Sequence, residues 1–222
     1  METFGPIPVA LSADFVQNKL RAPSRGAVET LLAEARSLAE AQAAFAVAYI
    51  EEKGADEVVI DGRRFKSRVL RKNLNDVGRV FPAVVTIGGR LEQKADRSKD
   101  LLEKYYLDAI GNLILAEARS QLIQHLCRRF ALETLSWMSP GSLEDWPLEE
   151  QRPLFALLDG APATVGVRLS ESLLMLPRKS VSGIFFPSET TFFSCRLCPR
   201  ERCEGRKARY DEALAREYGL PK

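Results

Sequence analysis

The chain has 222 residues, of which 45% are hydrophobic and 28% are charged, and this composition favours a folded protein over a disordered one. Its 32 lysine and arginine residues nearly balance its 30 acidic residues, so the net charge of +2 gives no reason to expect a nucleic-acid partner. The longest apolar runs, at 43–50 and 80–87, are far shorter than the roughly 20 residues that span a bilayer. No secretory signal is visible, so we expect a cytoplasmic protein with no membrane partner and with reduced cysteines.

The first part of the chain predicts an entry segment followed by a long helix. Residues 1–23 contain three prolines and predict an irregular or partly extended segment. Ser24 is a good helix N-cap, and apolar residues recur at helical spacing from there as far as Lys53. This pattern predicts one amphipathic helix.

The remainder of the chain predicts an irregular succession of strands and helices. In order, we predict a hairpin, a buried strand, a central helix, a turn, a short helix, three strands and a closing helix, at residues 57–66, 81–87, 98–135, 139–141, 148–158, 164–169, 181–186, 191–194 and 206–218. The central helix is either continuous or divided into two joined helices at Gly111 and Asn112. Residues 142–145 resemble a capping box for the short helix. Because the elements form no repeating strand–helix–strand units, we expect an α+β fold with a mainly antiparallel twisted sheet flanked by long helices.

Three cysteines near the C-terminus have a spacing typical of metal ligands. Two residues separate Cys195 from Cys198, and four separate Cys198 from Cys203, so three thiolates can converge from one short loop. Basic residues around the loop would offset the negative charge of a thiolate-ligated centre. The spacing predicts an iron–sulfur cluster or a structural zinc ion, and it leaves open three reduced thiols without a metal.

Cys127 is the remaining cysteine and the candidate fourth ligand. It lies late in the predicted central helix, near His125, the single histidine. A helical cysteine also packs as a small hydrophobe, and a single histidine is also an ordinary hydrogen-bonded side chain. Both alternatives stay open, and the sequence assigns no catalytic residue.

Several short motifs occur in a characteristic order. They are Phe-Pro-Ala-Val-Val-Thr-Ile-Gly at 81–88, Tyr-Tyr at 105–106, Ser-Pro-Gly at 139–141, Val-Arg-Leu-Ser-Glu-Ser at 167–172, Met175, Pro177 and Ser-Val-Ser-Gly at 180–183. Together they resemble the activation domain of cobalamin (vitamin B12)-dependent methionine synthase. The resemblance covers about residues 80–194 and does not extend to the cysteines.

The resemblance implies a fold, a function and a division of the chain. In that family the domain is a helmet-shaped α+β module that binds S-adenosylmethionine, covers the corrin ring and permits reductive methylation of inactive cob(II)alamin. A reduced cobalt species must be trapped quickly by a nearby methyl donor. The chain then consists of an N-terminal helix and hairpin region of the same domain (1–79), an activation-domain-like core (80–194), and a cysteine loop with a C-terminal helix (195–222).

The resemblance also implies cofactor-binding positions. The family's adenosylmethionine loop has a carboxylate-binding arginine and a tyrosine where this chain has Trp137 and Ser142, although Pro140 and Gly141 preserve the turn. An arginine fork binds a carboxylate through two hydrogen bonds, which tryptophan cannot replace. The candidate cofactor-binding positions are Trp137, Ser139, Pro140, Gly141, Ser180, Ser182, Gly183, Phe192 and Phe193. The small residues at 180–183 would let a corrin ring approach closely, although Gly183 also fits a crowded strand or a bulge. Phe192 and Phe193 correspond to two aromatic residues of the family pocket, and they fit core side chains equally well.

We therefore expect a stand-alone relative of the activation domain that reductively activates a corrinoid protein or a cobalamin-dependent methionine synthase. Electrons would enter through an iron–sulfur or other metal centre at the C-terminal cysteines. The cobalamin would be held by the partner protein. The missing arginine argues against binding of S-adenosylmethionine by this chain. One alternative is a non-enzymatic, zinc-stabilised module that binds a corrinoid protein. Another is an S-adenosylmethionine-dependent cobalamin reactivase whose loop uses backbone contacts and stacking on Trp137.

Overall fold

The computed structural model describes residues 1–203 and 205–220. Within these residues the strands are β1 Glu2–Phe4, β2 Gln42–Phe45, β3 Ala48–Lys53, β4 Glu57–Ile60, β5 Arg63–Lys66, β6 Arg79–Thr86, β7 Leu135–Met138, β8 Arg168–Leu169, β9 Met175–Leu176 and β10 Ser180–Pro187. The helices are α1 Ala13–Leu20, α2 Arg25–Leu38, α3 Arg68–Asn73, α4 Arg90–Arg97, α5 Leu101–Phe130, α6 Gln151–Leu157, α7 Ala161–Thr164 and α8 Glu212–Glu217. Short 3₁₀ turns lie at Leu148–Glu150 and Ser194–Leu197.

The chain forms two compact units, each assembled from three separate stretches. The first unit comprises Met1–Phe45, Val84–Leu126 and Ala161–Val181, and the second comprises Ala46–Ala83, Cys127–Gly160 and Ser182–Lys222. Three of the five boundaries fall within β6, α5 and β10. The division into segments 1–79, 80–194 and 195–222, which follows the family resemblance, stays a prediction.

In the first unit, α1 and α2 pack together, and β1 pairs antiparallel with β2 in the register Glu2↔Phe45. The Ser24 hydroxyl accepts a hydrogen bond from the Ala27 N–H, as expected of a helix N-cap. The predicted helix from Ser24 to Lys53 is nevertheless wrong beyond residue 38, because β2 and β3 occupy its second half. The last three residues of β2 are all buried, and a short run that is apolar on both faces fits a buried strand as well as a helix.

In the second unit, β3, β4 and β5 form an antiparallel meander. The β4–β5 turn has positive φ at Asp61 and Gly62, which confirms the predicted hairpin. The first residues of β6 pair antiparallel with β3, and β7 pairs antiparallel with β10. Large buried side chains, among them Phe65, Trp146 and Phe186, fill the core of this unit. The predicted α+β class with a mainly antiparallel sheet is confirmed.

Several predicted elements of the second half differ from those observed. The strand at 164–169 is reduced to β8, because α7 extends to Thr164. The strand at 191–194 is absent from the described backbone, and the closing helix is shorter than predicted, since α8 begins only after its N-cap Asp211. Gly111 does not interrupt α5. Within the described residues, no helix is long and apolar enough to cross a membrane.

Candidate ligand cavity and cysteine loop

A cavity of about 1110 Å³ lies in the second unit. Its wall combines residues of α3, the start of β6, the segment between α5 and β7, the segment that follows β10, and α8. The volume slightly exceeds the usual range of about 300–1,000 Å³ for small-molecule sites, so the cavity has room for a ligand of nucleoside size.

One buried hydroxyl fixes the segment that follows β10 at the cavity wall. Ser136 of β7 is fully buried, and its Oγ lies 2.7 Å from Ser188 Oγ and accepts a 2.7 Å hydrogen bond from the Phe192 N–H. The same hydroxyl reaches the Thr190 carbonyl oxygen at 3.4 Å. These side-chain hydrogen bonds replace the ladder of the predicted strand at 191–194 and hold Phe192 in the wall.

Aromatic rings and a phenol form one end of the cavity. The rings of Phe192 and Tyr218 have centroids 6.1 Å apart, and Lys72 Nζ lies 4.6 Å from the Tyr218 centroid. Burial, followed by the charge of Glu217, raises the pKa of the Tyr218 phenol. The phenol therefore stays protonated, and its hydroxyl donates a 2.8 Å hydrogen bond to Asn73 Oδ1.

Two of the cations in the wall are paired with carboxylates. Lys72 Nζ lies 2.7 Å from Glu217, and the Arg196 guanidinium lies 2.7 Å from Asp211. A hydrogen bond from the Leu214 N–H and the contact with Arg196 hold the pKa of the Asp211 carboxyl below its usual value. These pairs attach α8 to the wall through charges that are already neutralised locally.

The loop after β7 keeps the turn that the resemblance implied. Trp137 is half-buried and stacks on Phe185 at 5.9 Å between centroids. The Ser139 hydroxyl donates a 2.6 Å hydrogen bond to the Ser182 carbonyl oxygen. Gly141 has a φ of 79°, which favours glycine, and its N–H donates to the Trp146 carbonyl oxygen at 2.7 Å.

The small residues of β10 are buried, and they form hydrogen bonds or close backbone contacts within the protein. Within the first unit, Ser180 Oγ donates to the Pro177 carbonyl oxygen at 2.7 Å. In the second unit, Ser182 Oγ donates to Gln151 Oε1 at 2.8 Å, and a Cβ at Gly183 would collide with the Met138 carbonyl oxygen. The close packing of β7 against β10 is therefore enough to explain why this position requires glycine, without any ligand.

Among the predicted cofactor-binding positions, Phe192 lines the cavity, whereas the positions in the β7 loop, in β10 and at Phe193 are not part of the described wall. Pro140 is buried, and Phe193 is half-buried. A ligand-binding role for all of these positions stays a prediction.

The cysteine loop is folded around one guanidinium. Arg206 donates to the carbonyl oxygens of Cys195 and Cys198 at 3.1 and 3.3 Å, and also to those of Arg200 and Ala208. The Lys207 N–H lies 3.4 Å from Cys195 Sγ, within reach of an N–H···S hydrogen bond. Arg206 thus ties both ends of the loop together.

The described residues do not gather a metal site. No three histidine, cysteine, aspartate or glutamate side chains among residues 1–203 and 205–220 form a group that could hold an ion. Cys195 and Cys198 are half-buried, and Cys203 is exposed. Burial raises the pKa of the Cys127 thiol, so this thiol stays protonated as expected of a packed side chain. Metal ligation by these cysteines stays a prediction.

His125 is part of an aromatic cluster of the first unit. Its ring stacks on Phe4 with centroids 4.4 Å apart and meets the ring of Phe45 edge-on at 6.0 Å. This packing agrees with the alternative of an ordinary structural histidine.

A family described as "Vitamin B12 dependent methionine synthase, activation domain" matches residues 143–211. The predicted resemblance is confirmed. The match continues past residue 194 and through the cysteine loop, so the earlier boundary of the resemblance is corrected. The activation-domain resemblance thus includes the segment that lines the cavity after β10.

A solved structure has the same fold. The "Crystal Structure of the MetH Reactivation Domain bound to AdoHcy" aligns with a TM-score of 0.55 and 16% sequence identity over 97% of this chain and 77% of that chain. At this identity the likeness shows the activation-domain fold alone. No curated protein matches the chain.

Sequence reasoning missed three residues that shape these sites, namely Arg79, Ser136 and Arg206. Each acts through partners that are distant in sequence or through backbone groups of a folded loop. Nothing in the spacing distinguishes Arg206 from the other basic residues near the cysteines, so the sequence indicates only their shared positive charge.

Proposed function

We propose that this chain reactivates a cobalamin-dependent methionine synthase or another corrinoid protein, and that its cavity holds the adenosyl group of the methyl donor. The observation that carries the proposal is the cavity wall after β10, since this segment lies inside the matched family region of an activation-domain fold. The AdoHcy of the MetH reactivation domain supports an adenosyl ligand. The corrinoid would be brought by a partner protein, and we place both proteins in the cytoplasm.

The chemistry assigned to the pair of proteins is a reductive methylation. A reduced iron–sulfur centre or another one-electron donor would convert the partner's cob(II)alamin to cob(I)alamin, whose cobalt electron pair would take the methyl group of S-adenosylmethionine to give methylcobalamin and AdoHcy. Phe192 and Tyr218 offer aromatic surface for a purine ring at the cavity wall. The chain's own contribution is then to bind and orient the donor.

Binding of AdoHcy, measured by isothermal titration calorimetry, tests the proposal. We expect saturable binding by the wild-type chain and an affinity about tenfold lower for Phe192→Ala, because stacking of one base is worth roughly 1–3 kcal/mol. Phe15→Ala removes a partly exposed ring of the first unit and should leave the affinity unchanged. Absence of heat with the wild-type chain at millimolar AdoHcy would contradict an adenosyl ligand.

We also propose that the cysteine loop binds a thiophilic metal, as an iron–sulfur centre or as zinc. Support comes from the donor chemistry of three cysteines in one loop and from the N–H group facing Cys195 Sγ. Since the described donors do not form a group of three, the loop must close around the metal. A zinc-only protein would favour the alternative of a non-enzymatic module that binds a corrinoid protein.

Metal analysis of oxygen-free protein tests this second proposal. Cys198→Ser should lower both the metal content and the melting temperature, because ligand loss removes binding energy that is coupled to folding. Cys127→Ser separates the fourth-ligand prediction from the packing alternative, since only a ligand would change the metal content. Wild-type protein without metal, or unchanged metal occupancy in Cys198→Ser, would refute the assignment.

A further inference from the structure

Arg79 differs from the two paired cations of the cavity wall. It lies at the start of β6 and lines the cavity, as Lys72 and Arg196 do. Within the described part of the chain, its guanidinium has no carboxylate at ion-pair distance and makes no side-chain hydrogen bond. A half-buried arginine with free donors at a cavity is well suited to an anion supplied by a ligand.

Two aromatic rings hold the Arg79 guanidinium. Its central carbon lies 5.4 Å from the centroid of Phe81 and 5.1 Å from that of Phe130. These two rings contact one another, with centroids 4.7 Å apart, and Phe81 is fully buried. Cation–π contacts stabilise the guanidinium through its faces, and they leave the N–H donors at its edge available to a planar acceptor such as a carboxylate.

The remaining charge of the wall restricts the class of ligand. Asp76, Glu133 and Glu189 also line the cavity, and none of them forms an ion pair with a described residue. Their negative charge disfavours a ligand that carries only negative charge, such as a polyphosphate. A zwitterionic amino-acid group combines one carboxylate with a cationic ammonium, and it suits one free guanidinium near several carboxylates.

We propose that Arg79 binds the carboxylate of the amino-acid part of the adenosyl ligand. This inference rests on the proposed function, and it assigns the carboxylate contact to β6. Arg79 is then a residue that determines specificity, because it distinguishes an adenosyl amino acid from an adenosine derivative without a carboxylate.

Two ligands and three variants test the proposal by titration calorimetry. AdoHcy carries the carboxylate, and 5′-methylthioadenosine keeps the adenosyl thioether but lacks the amino-acid group. We expect Arg79→Gln to weaken AdoHcy binding roughly 10- to 100-fold, as for loss of a hydrogen-bonded charge pair, and to leave 5′-methylthioadenosine binding unchanged. Arg79→Lys should weaken AdoHcy binding less, since it keeps the charge but loses the planar fork. Arg63→Gln, at an exposed position of β5, is the matched control and should bind both ligands like the wild type.

Three results would overturn the inference in distinguishable ways. Unchanged AdoHcy binding by Arg79→Gln, or an equal loss for both ligands, rejects the carboxylate contact while the proposed function stands. Absence of AdoHcy binding by the wild-type chain rejects the adenosyl ligand and this contact together. Circular dichroism checks the fold of each variant, and if Arg79→Gln does not fold, the same comparison of two ligands with Arg79→Lys decides.

Discussion

Gly183→Val is expected to lower the free energy of unfolding by about 3 kcal/mol or more, since overpacking at a fixed backbone contact is among the costliest changes in a core. A Cβ at this position would collide with the carbonyl oxygen of Met138, a backbone atom of β7 that cannot rotate away as a side chain can. Trp137 and the Ser139 hydroxyl crowd the same point at 3.1 Å. Urea denaturation followed by circular dichroism measures the loss.

The control for this substitution is Gly26→Ala. Gly26 lies in the first turns of α2 with no atom within 4 Å of an added Cβ, so alanine should be neutral or should stabilise the chain by about 0.5–1 kcal/mol through helix propensity. If Gly183→Val unfolds at the wild-type urea concentration, β7 and β10 are not packed as described.

Asp145→Ala is expected to cost about 3 kcal/mol of unfolding free energy, because a nearly buried carboxylate that caps a helix is lost. The carboxylate accepts hydrogen bonds from the Ser67 hydroxyl at 2.5 Å and from the Val69 N–H at 2.9 Å, both at the N-terminus of α3. It also contacts Arg68 Nε at 3.2 Å, and its side chain is only 5% exposed. Removal leaves donors of the first turn of α3 without an acceptor.

Two variants separate the helix cap from a general effect of charge. Asp145→Asn keeps an acceptor oxygen and should lose less stability than Asp145→Ala in the same urea titration. Glu144→Ala removes an exposed carboxylate next in sequence and should change stability by no more than about 0.5 kcal/mol. Equal effects of Glu144→Ala and Asp145→Ala would argue against the cap.

Asp145 also illustrates where sequence patterns stop being informative. Residues 142–145 resemble a capping box for the helix that follows them, and the prediction is wrong because Asp145 caps α3 instead. Asp145 does cap a helix, but that helix lies far upstream in the chain. By contrast, the hairpin at Asp61 and Gly62 depends on local backbone preferences, and these are present in the sequence.

The candidate site likewise contains some residues that the sequence indicates and others that it does not. The family resemblance pointed to Phe192, and this residue does line the cavity. Neither Ser136 nor Arg79 has a sequence signal, because their roles depend on a buried hydroxyl that reaches the segment after β10 and on a ring contributed by Phe130. Tertiary contacts of this kind are set by packing rather than by periodicity.

The positions of the two tryptophans have a practical consequence for optical work on this protein. Trp137, which stacks on Phe185, lies in the second unit. Trp146 is the second of the two tryptophans, and it is fully buried in the same unit as Trp137. Indole emission therefore originates from the second unit alone, whereas far-ultraviolet circular dichroism registers helices and strands of both units. Comparing the two signals in one urea titration shows whether the two units lose their structure in a single step.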